Sequence, residues 1–144
     1  MQEQNYKNHH QYVLGFHVIL FGIVVLSLIG SIVNLVKSWC NHEVLYSASL
    51  IVVGWVAGLM LAFYARNFSL KAQDRAIRAE ENLRHFAMTG KLLDSRLTIR
   101  QIIGLRFASD EEFLALAKRA AEEKLSEDDI KKAVKNWRPD HYRV

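Results

Sequence analysis

Two uncharged apolar runs joined by a short loop constrain this chain more than any other feature. From Val13 to Val36 there are 24 residues without Asp, Glu, Lys or Arg, and from Val44 to Tyr64 there are another 21. At about 1.5 Å of rise per residue, helices over these runs measure about 36 and 31 Å, each enough to cross a hydrocarbon core of about 30 Å. The pattern therefore predicts a two-helix transmembrane hairpin over 13–36 and 44–64, joined by a loop over 37–43. The first partner it implies is the lipid bilayer.

What remains is roughly 80 residues, one small domain. The chain averages 51% hydrophobic, but residues 66–144 hold 17 of the 19 Lys and Arg and 13 of the 15 acids, a net of +4. A surface this mixed suits a helical domain beside an anionic leaflet and lacks the concentrated basic stripe of a nucleic-acid binder. Residues 1–12 lack the basic region of a cleaved signal peptide, and the run that follows exceeds the usual apolar core of about 7–15 residues, so it reads as an uncleaved signal anchor.

Arg66, Lys71, Arg75, Arg78 and Arg84 follow the second span closely, whereas the loop has only Lys37. That bias predicts both termini in the cytoplasm and the loop Lys37–Glu43 in the periplasm, with Trp39 and Tyr46 as interfacial anchors there and Tyr12 and Tyr64 on the cytoplasmic face.

Small residues mark the candidate contact faces, because lipid tails give apolar helices little reason to associate and close backbone approach must supply the contact. Gly54, Gly58 and Ala62 stand four residues apart in the second span, and Gly15, Gly22 and Gly30 are spaced by seven and eight in the first. These faces are expected to pack within the hairpin or between protomers. The one ionisable group within a span is His17, with Ser27, Ser31 and Asn34 continuing a polar ridge. A proton or ion path would need a carboxylate or second histidine on the opposing helix, and 44–64 has neither.

Of the six histidines, His9, His10 and His17 lie near one face, His42 at the other end, and His85 and His141 in the tail. No His-x-x-x-His pair with an acidic partner and no Cys-x-x-Cys occurs, so a metal or haem site would need several subunits and no cofactor is expected. Cys40 is the sole cysteine, in the exported loop, either free or paired between molecules.

Residues 63–89 contain neither Gly nor Pro and are rich in Ala, Leu, Arg, Glu and Gln, so the second span should continue over 65–89 as one long helix ending at Thr89-Gly90. Ala65, Phe68, Ala72, Ala76, Ala79, Leu83 and Phe86 form a narrow stripe along it, which the tail or a second copy should cover. Lys71, Asp74, Arg75, Arg78, Glu81 and Asn82 read as its solvated face.

Residues 90–144 read as a module of short helices. Thr98 with Gln101 opens one through Ala108, Ser109 with Glu112 a second through about Lys124, and Ser126 with Asp129 a third ending at Trp137 before Pro139. Apolar faces on each are expected to pack on the alanine stripe. The acids Asp110–Glu112 and Glu127–Asp129 fit helix N-termini rather than metal sites. The fold class is thus all-α: a transmembrane hairpin, a cytoplasmic extension of its second helix, and a small helical module.

No glycine-rich phosphate loop, nucleophile elbow or nucleophile-histidine pairing is present, so neither an enzyme nor a small-molecule substrate is indicated. The leading expectation is a non-enzymatic accessory or scaffold protein, a homo-oligomer or subunit of a larger membrane complex. Its interface candidates are Gly15, Gly22, Gly30, Gly54, Gly58, Ala62, Ala72, Ala76 and Ala79. The alternative is a membrane-tethered regulator whose Lys131, Lys132, Lys135 and Arg138 contact nucleic acid or anionic lipid. The lysines lack the Gln, Asn or Arg-rich edge that reads bases, which disfavours nucleic acid.

The stretches Gln4-Asn-Tyr-Lys-Asn-His9, Gly30-Ser-Ile-Val-Asn-Leu35 and Phe68-Ser-Leu-Lys-Ala-Gln-Asp-Arg-Ala-Ile-Arg-Ala-Glu-Glu-Asn-Leu-Arg-His-Phe86 resemble an uncharacterised family of short two-span bacterial proteins. The likeness continues through Leu105-Arg-Phe-Ala-Ser-Asp-Glu-Glu-Phe113 and Lys132-Ala-Val-Lys-Asn-Trp-Arg-Pro-Asp140. The resemblance implies this topology and a bacterial inner membrane, and supplies no active site. Some members of that family are labelled transporter permeases, but two spans without an intramembrane charge pair or a coupling ATPase motif do not make an obvious pathway.

Overall fold

The structure is a computed structural model that describes residues 4–8 and 12–140. It is helical, with no strand among the described residues, and it divides into two units: Tyr12–Ser69, and Met1–Gln11 with Leu70–Val144.

In the first unit, a π-helical segment Gly15–Leu20 runs into α1, Phe21–Lys37. The π turn departs from the uniform α-helix expected over 13–36. Just before it, the Val13 oxygen accepts the Phe16 and His17 amides at 3.1 and 2.9 Å, and His17 Nδ1 lies 3.0 Å from it. The second helix, α2, is unbroken over His42–Thr89 and begins two residues before the expected start. These two apolar helices are both long enough to cross a membrane.

The shielded positions of the hairpin follow a step of three and four. Among the buried or half-buried positions, Val24, Leu28, Ser31 and Leu35 of α1 and Ser38 just beyond it keep this spacing, as do Leu45, Ala48, Val52, Trp55, Leu59 and Ala62 of α2, while Gly22, Val25, Ser27, Ser49 and Gly58 are also half-buried. A 3.5-residue repeat of this kind keeps two helices in register along a slight supercoil. Ser31 is accommodated because its hydroxyl donates to the Leu28 carbonyl at 2.8 Å. The glycines are not what joins α1 to α2. A Cβ built at Gly15, Gly22, Gly30, Gly54 or Gly58 meets no atom within 4 Å.

In the second unit, α2 ends at Thr89, where Gly90 takes φ +72°, a left-handed conformation that a side chain would disfavour, and its amide donates to Phe86 O at 2.7 Å. Three short helices follow: α3, Ile99–Leu105, α4, Asp110–Glu123, and α5, Glu127–Ala133. Thr98 caps α3 through a reciprocal box with Gln101, and Ser126 Oγ accepts the Asp129 amide at 3.1 Å. Ser109 precedes α4, but its hydroxyl makes no cap bond. Its expected partner Glu112 instead accepts the Lys135 and Asn136 amides, at 3.2 and 3.0 Å.

Those bonds accompany a correction to α5, which stops at Ala133 rather than Trp137. Val134 turns extended, and the chain pairs with the segment after α3: Ser109 N donates to Asn136 O at 3.1 Å and Arg138 N to Phe107 O at 2.8 Å, around an antiparallel bridge between Ala108 and Trp137. For the same reason α3 ends at Leu105, short of the expected Ala108. The core gathers Ile77 of α2, Leu93 and Leu97 of the connecting loop, and Ile102, Leu105, Phe113, Ala120 and Ile130 of the short helices.

The face of α2 that receives this module reverses the sequence expectation. Ile77 and Glu81 are buried, and Leu70, Asp74, Asn82 and Arg84 are half-buried, whereas Ala72, Ala76, Ala79, Leu83 and Phe86 are exposed. Glu81, placed on the solvated face by its charge, retains only 4% of its accessible surface.

Candidate functional site

Arg84 explains how a carboxylate can sit at that junction. Its Nη1 donates to Glu81 Oε2 at 3.0 Å, its Nη2 to the Ala108 carbonyl at 2.8 Å, and its Nε to Asp110 Oδ1 at 2.8 Å. The guanidinium also lies 4.2 Å from the Phe113 ring centroid. A planar five-donor group can serve an acid, a carbonyl and an aromatic face at once, which a lysine ammonium cannot. Arg138 Nη1 lies 3.7 Å from the other Glu81 oxygen. The arrangement fixes α2 to the start of α4 and is structural in character.

A second polar cluster ties the chain's beginning to its end. Gln4 exchanges two hydrogen bonds with the Asp140 backbone, and the Tyr6 hydroxyl donates to Asp128, 2.8 Å from Oδ1. Lys132 Nζ lies 2.8 Å from Asp128 Oδ2. Lys132 and then Tyr6 hold the Asp128 carboxyl below its ordinary range, while hydrogen bonding to Asp128 raises the Tyr6 phenol. Asp140 Oδ2 also lies 3.0 Å from Nη1 of the buried Arg106.

The four cations proposed to meet an anionic partner are therefore largely engaged within the chain. Lys131 pairs with Glu127 at 2.6 Å, Lys132 with Asp128, and Arg138 approaches Glu81. Lys135 is exposed, and among the described residues no carboxylate forms an ion pair with its ammonium.

Within the hairpin unit, a cleft of about 650 Å³ opens between the helices, lined by Tyr12, Phe16, His17, Phe21, Met60, Phe63 and Arg66 among others. The His17 ring packs beside Tyr12 and Phe16, with centroids 4.7 and 5.3 Å away, and the Arg66 guanidinium lies 5.9 Å from the Phe16 centroid. Apart from His17 and Arg66 the lining is apolar or aromatic.

Of the proposed contact residues, Gly15, Gly30, Gly54, Ala72, Ala76 and Ala79 are exposed, and Gly22, Gly58 and Ala62 are half-buried. Cys40 is free and exposed. His9, His10 and His141 lie outside the described residues. Among the described residues, no three His, Cys, Asp or Glu side chains are grouped to hold a metal ion.

The residues that sequence reasoning passed over are Gln4, Tyr6, Arg84 and the inner end of Gln101. A signal for Arg84 was available: Leu70, Ile77, Glu81 and Arg84 recur at steps of seven, four and three, a second helical face hidden among charges. The N-terminal contacts, 122 and 136 residues apart in sequence, leave no comparable local trace.

Comparison with curated proteins and with solved structures finds no match. A family model does match, over residues 1–144, and on that ground the chain belongs to a family of unknown function, DUF6526.

Proposed function

We propose that this chain is a non-enzymatic accessory or scaffold protein of a bacterial inner membrane, which oligomerises or joins a larger membrane complex and presents a helical platform in the cytoplasm. The two apolar helices would anchor it, with both termini in the cytoplasm and the loop around Cys40 in the periplasm. The observation that carries the reading is the contrast between satisfied polar groups and bare apolar ones. The module's buried acid and arginine are paired, whereas Leu83 and Phe86 of α2 stay 68% and 51% exposed beside a run of alanines. Large side chains left bare on a helix that already packs a domain on its other side mark a surface for another protein.

The topology draws support from the hydrogen bonds of Gln4 and Tyr6, which precede the hairpin, to Asp140 and Asp128, which follow it. Segments so joined belong on one side of a bilayer. The charge bias after the second helix selects the cytoplasmic side.

The test is a native mass measurement of the full-length protein extracted from its own membranes in mild detergent. An oligomer, or a complex with a co-purifying protein, is expected. A monomer with no partner would contradict the reading.

A further inference from the structure

The helical module covers Leu70, Ile77, Glu81 and Arg84 and leaves a different set of apolar α2 residues bare. Ala72, Ala76, Ala79, Leu83 and Ala87 are all exposed and follow steps of four, three, four and four. In the sequence the same order extends back through Phe68, Ala65, Leu61, Ala57 and Gly54, also exposed, without one polar residue interrupting it. Steps of three, four and four make an 11-residue repeat of about 3.67 residues per turn, close enough to the natural helical period to form a nearly straight seam. Within 54–64 an apolar seam is unremarkable, since almost every residue there is apolar. Within 65–87, where Arg, Glu, Gln and Asp fill the neighbouring positions, it is a selected pattern.

The edges of the seam say what fits it. Arg75 immediately precedes the seam residue Ala76, and Glu80 immediately follows the seam residue Ala79, so the two flank it on opposite sides. Both are exposed, and neither forms an ion pair within the described chain. When two identical helices pack in parallel about a two-fold axis, the leading edge of one lies against the trailing edge of the other, about five residues further on. Arg75 of each copy then meets Glu80 of the other, twice by symmetry. An antiparallel pair would set like edges together, and it would also require the two hairpins to enter the bilayer from opposite sides. The alanines let the axes approach closely, and Leu83 supplies the larger side chain that interlocks beside them.

We propose that the occupant of this face is a second copy of the chain, packed in parallel through the Ala72–Ala87 seam of α2 and held in register by reciprocal Arg75–Glu80 pairs. The inference rests on the scaffold reading above and names its partner.

The experiment is site-directed cross-linking of the full-length protein in native membranes on a Cys40→Ser background. A single cysteine replaces Ala76 or Ala79 on the seam, or the exposed Arg78 on the far side. On mild oxidation, Ala76→Cys and Ala79→Cys are expected to give a disulfide-linked dimer at a yield roughly tenfold above Arg78→Cys, as the two-fold axis brings only seam positions against their own equivalents. Adding Arg75→Glu or Glu80→Arg to Ala76→Cys should lower the linked fraction by roughly three- to tenfold, and combining both should restore it. Equal linkage at position 78, or no restoration by the double exchange, would overturn the proposal. Native mass separates its failure from that of the broader reading: a complex with a different protein and no seam cross-link defeats the homodimer alone, whereas a partnerless monomer defeats both.

Discussion

Gln4 and Asp140 stand on either side of the two apolar helices in the sequence and are joined by a reciprocal pair of hydrogen bonds. The Asp140 amide donates to Gln4 Oε1 at 2.7 Å, and Gln4 Nε2 lies 3.4 Å from the Asp140 carbonyl oxygen. Gln4 is buried, so the segment before the first helix is part of the compact unit that follows the second. That relationship turns a linear plan of anchor, rod and tail into one in which both ends of the chain build a single module.

Gln101 is the residue on which the loop between α4 and α5 depends. Its Nε2 donates to the Ala120 and Leu125 carbonyls at 3.0 and 2.9 Å, while its Oε1 accepts the Thr98 amide at 2.8 Å. Gln101→Glu keeps the shape and the acceptor but turns both donations into oxygen-oxygen repulsion. A loss of about 2–4 kcal/mol is expected from two orphaned carbonyls and a buried charge. Thermal unfolding checks it, with partial recovery at acid pH where the carboxyl regains a proton.

Gly104 lies where α3 packs closely on α5. A Cβ there would meet the Glu127 carbonyl oxygen and Ile130 Cγ2, each at 3.1 Å. One of those atoms belongs to the backbone and yields little, so Gly104→Ala should destabilise the module by about 1–3 kcal/mol despite the better helix propensity of alanine. Gly54→Ala, with open space around its Cβ, should leave the unfolding midpoint of the module unchanged.

Arg84→Met removes the donors from a Glu81 side chain that is only 5% exposed. With Arg138 3.7 Å from that acid as its remaining cation, a loss of about 3–5 kcal/mol is expected, the usual cost of leaving a buried charge without its close partner. Arg84→Met combined with Glu81→Leu should recover most of it, as an apolar pair fits the same space. Denaturant unfolding of the single and double variants measures the difference.

Asp94 shows how the connecting loop responds to acid. Hydrogen bonds from the Arg96 side chain and amide lower its carboxyl from 3.8 to about 2. Because the folded value lies below the unfolded one, the contribution to stability is present above pH 3.8 and disappears as pH falls through about 2. Carboxyl-carbon NMR should place the Asp94 midpoint near 2, and Arg96→Gln should move it up towards 3.8.

Much of this architecture was legible because its causes are local. The long apolar runs, the unbroken helix to Thr89, the glycine stop at Gly90 and the caps at Thr98 and Ser126 each depend on neighbours within a few residues. Three features were not legible for the opposite reason. Ser109 looks like a cap, but Glu112 is drawn away to the amides of Lys135 and Asn136. The end of α5 at Ala133 is set by pairing with Phe107 and Ser109, which no helical periodicity encodes. The face of α2 beneath the module is hidden in the sequence because charged side chains ordinarily face solvent, whereas Glu81 and Arg84 satisfy each other and leave Ile77 to join the core.

On the proposed topology, the hairpin returns both chain ends to one module on one side of a membrane. Sided labelling with an impermeant maleimide, applied to sealed inverted and right-side-out vesicles, tests this directly. Native Cys40 reports the loop, and Asn5→Cys and Lys124→Cys, each on a Cys40→Ser background, report the two ends. The account predicts that positions 5 and 124 react only from the cytoplasmic face and Cys40 only from the opposite one. Reaction of positions 5 and 124 from different faces, or of Cys40 from the same face as both, would contradict it.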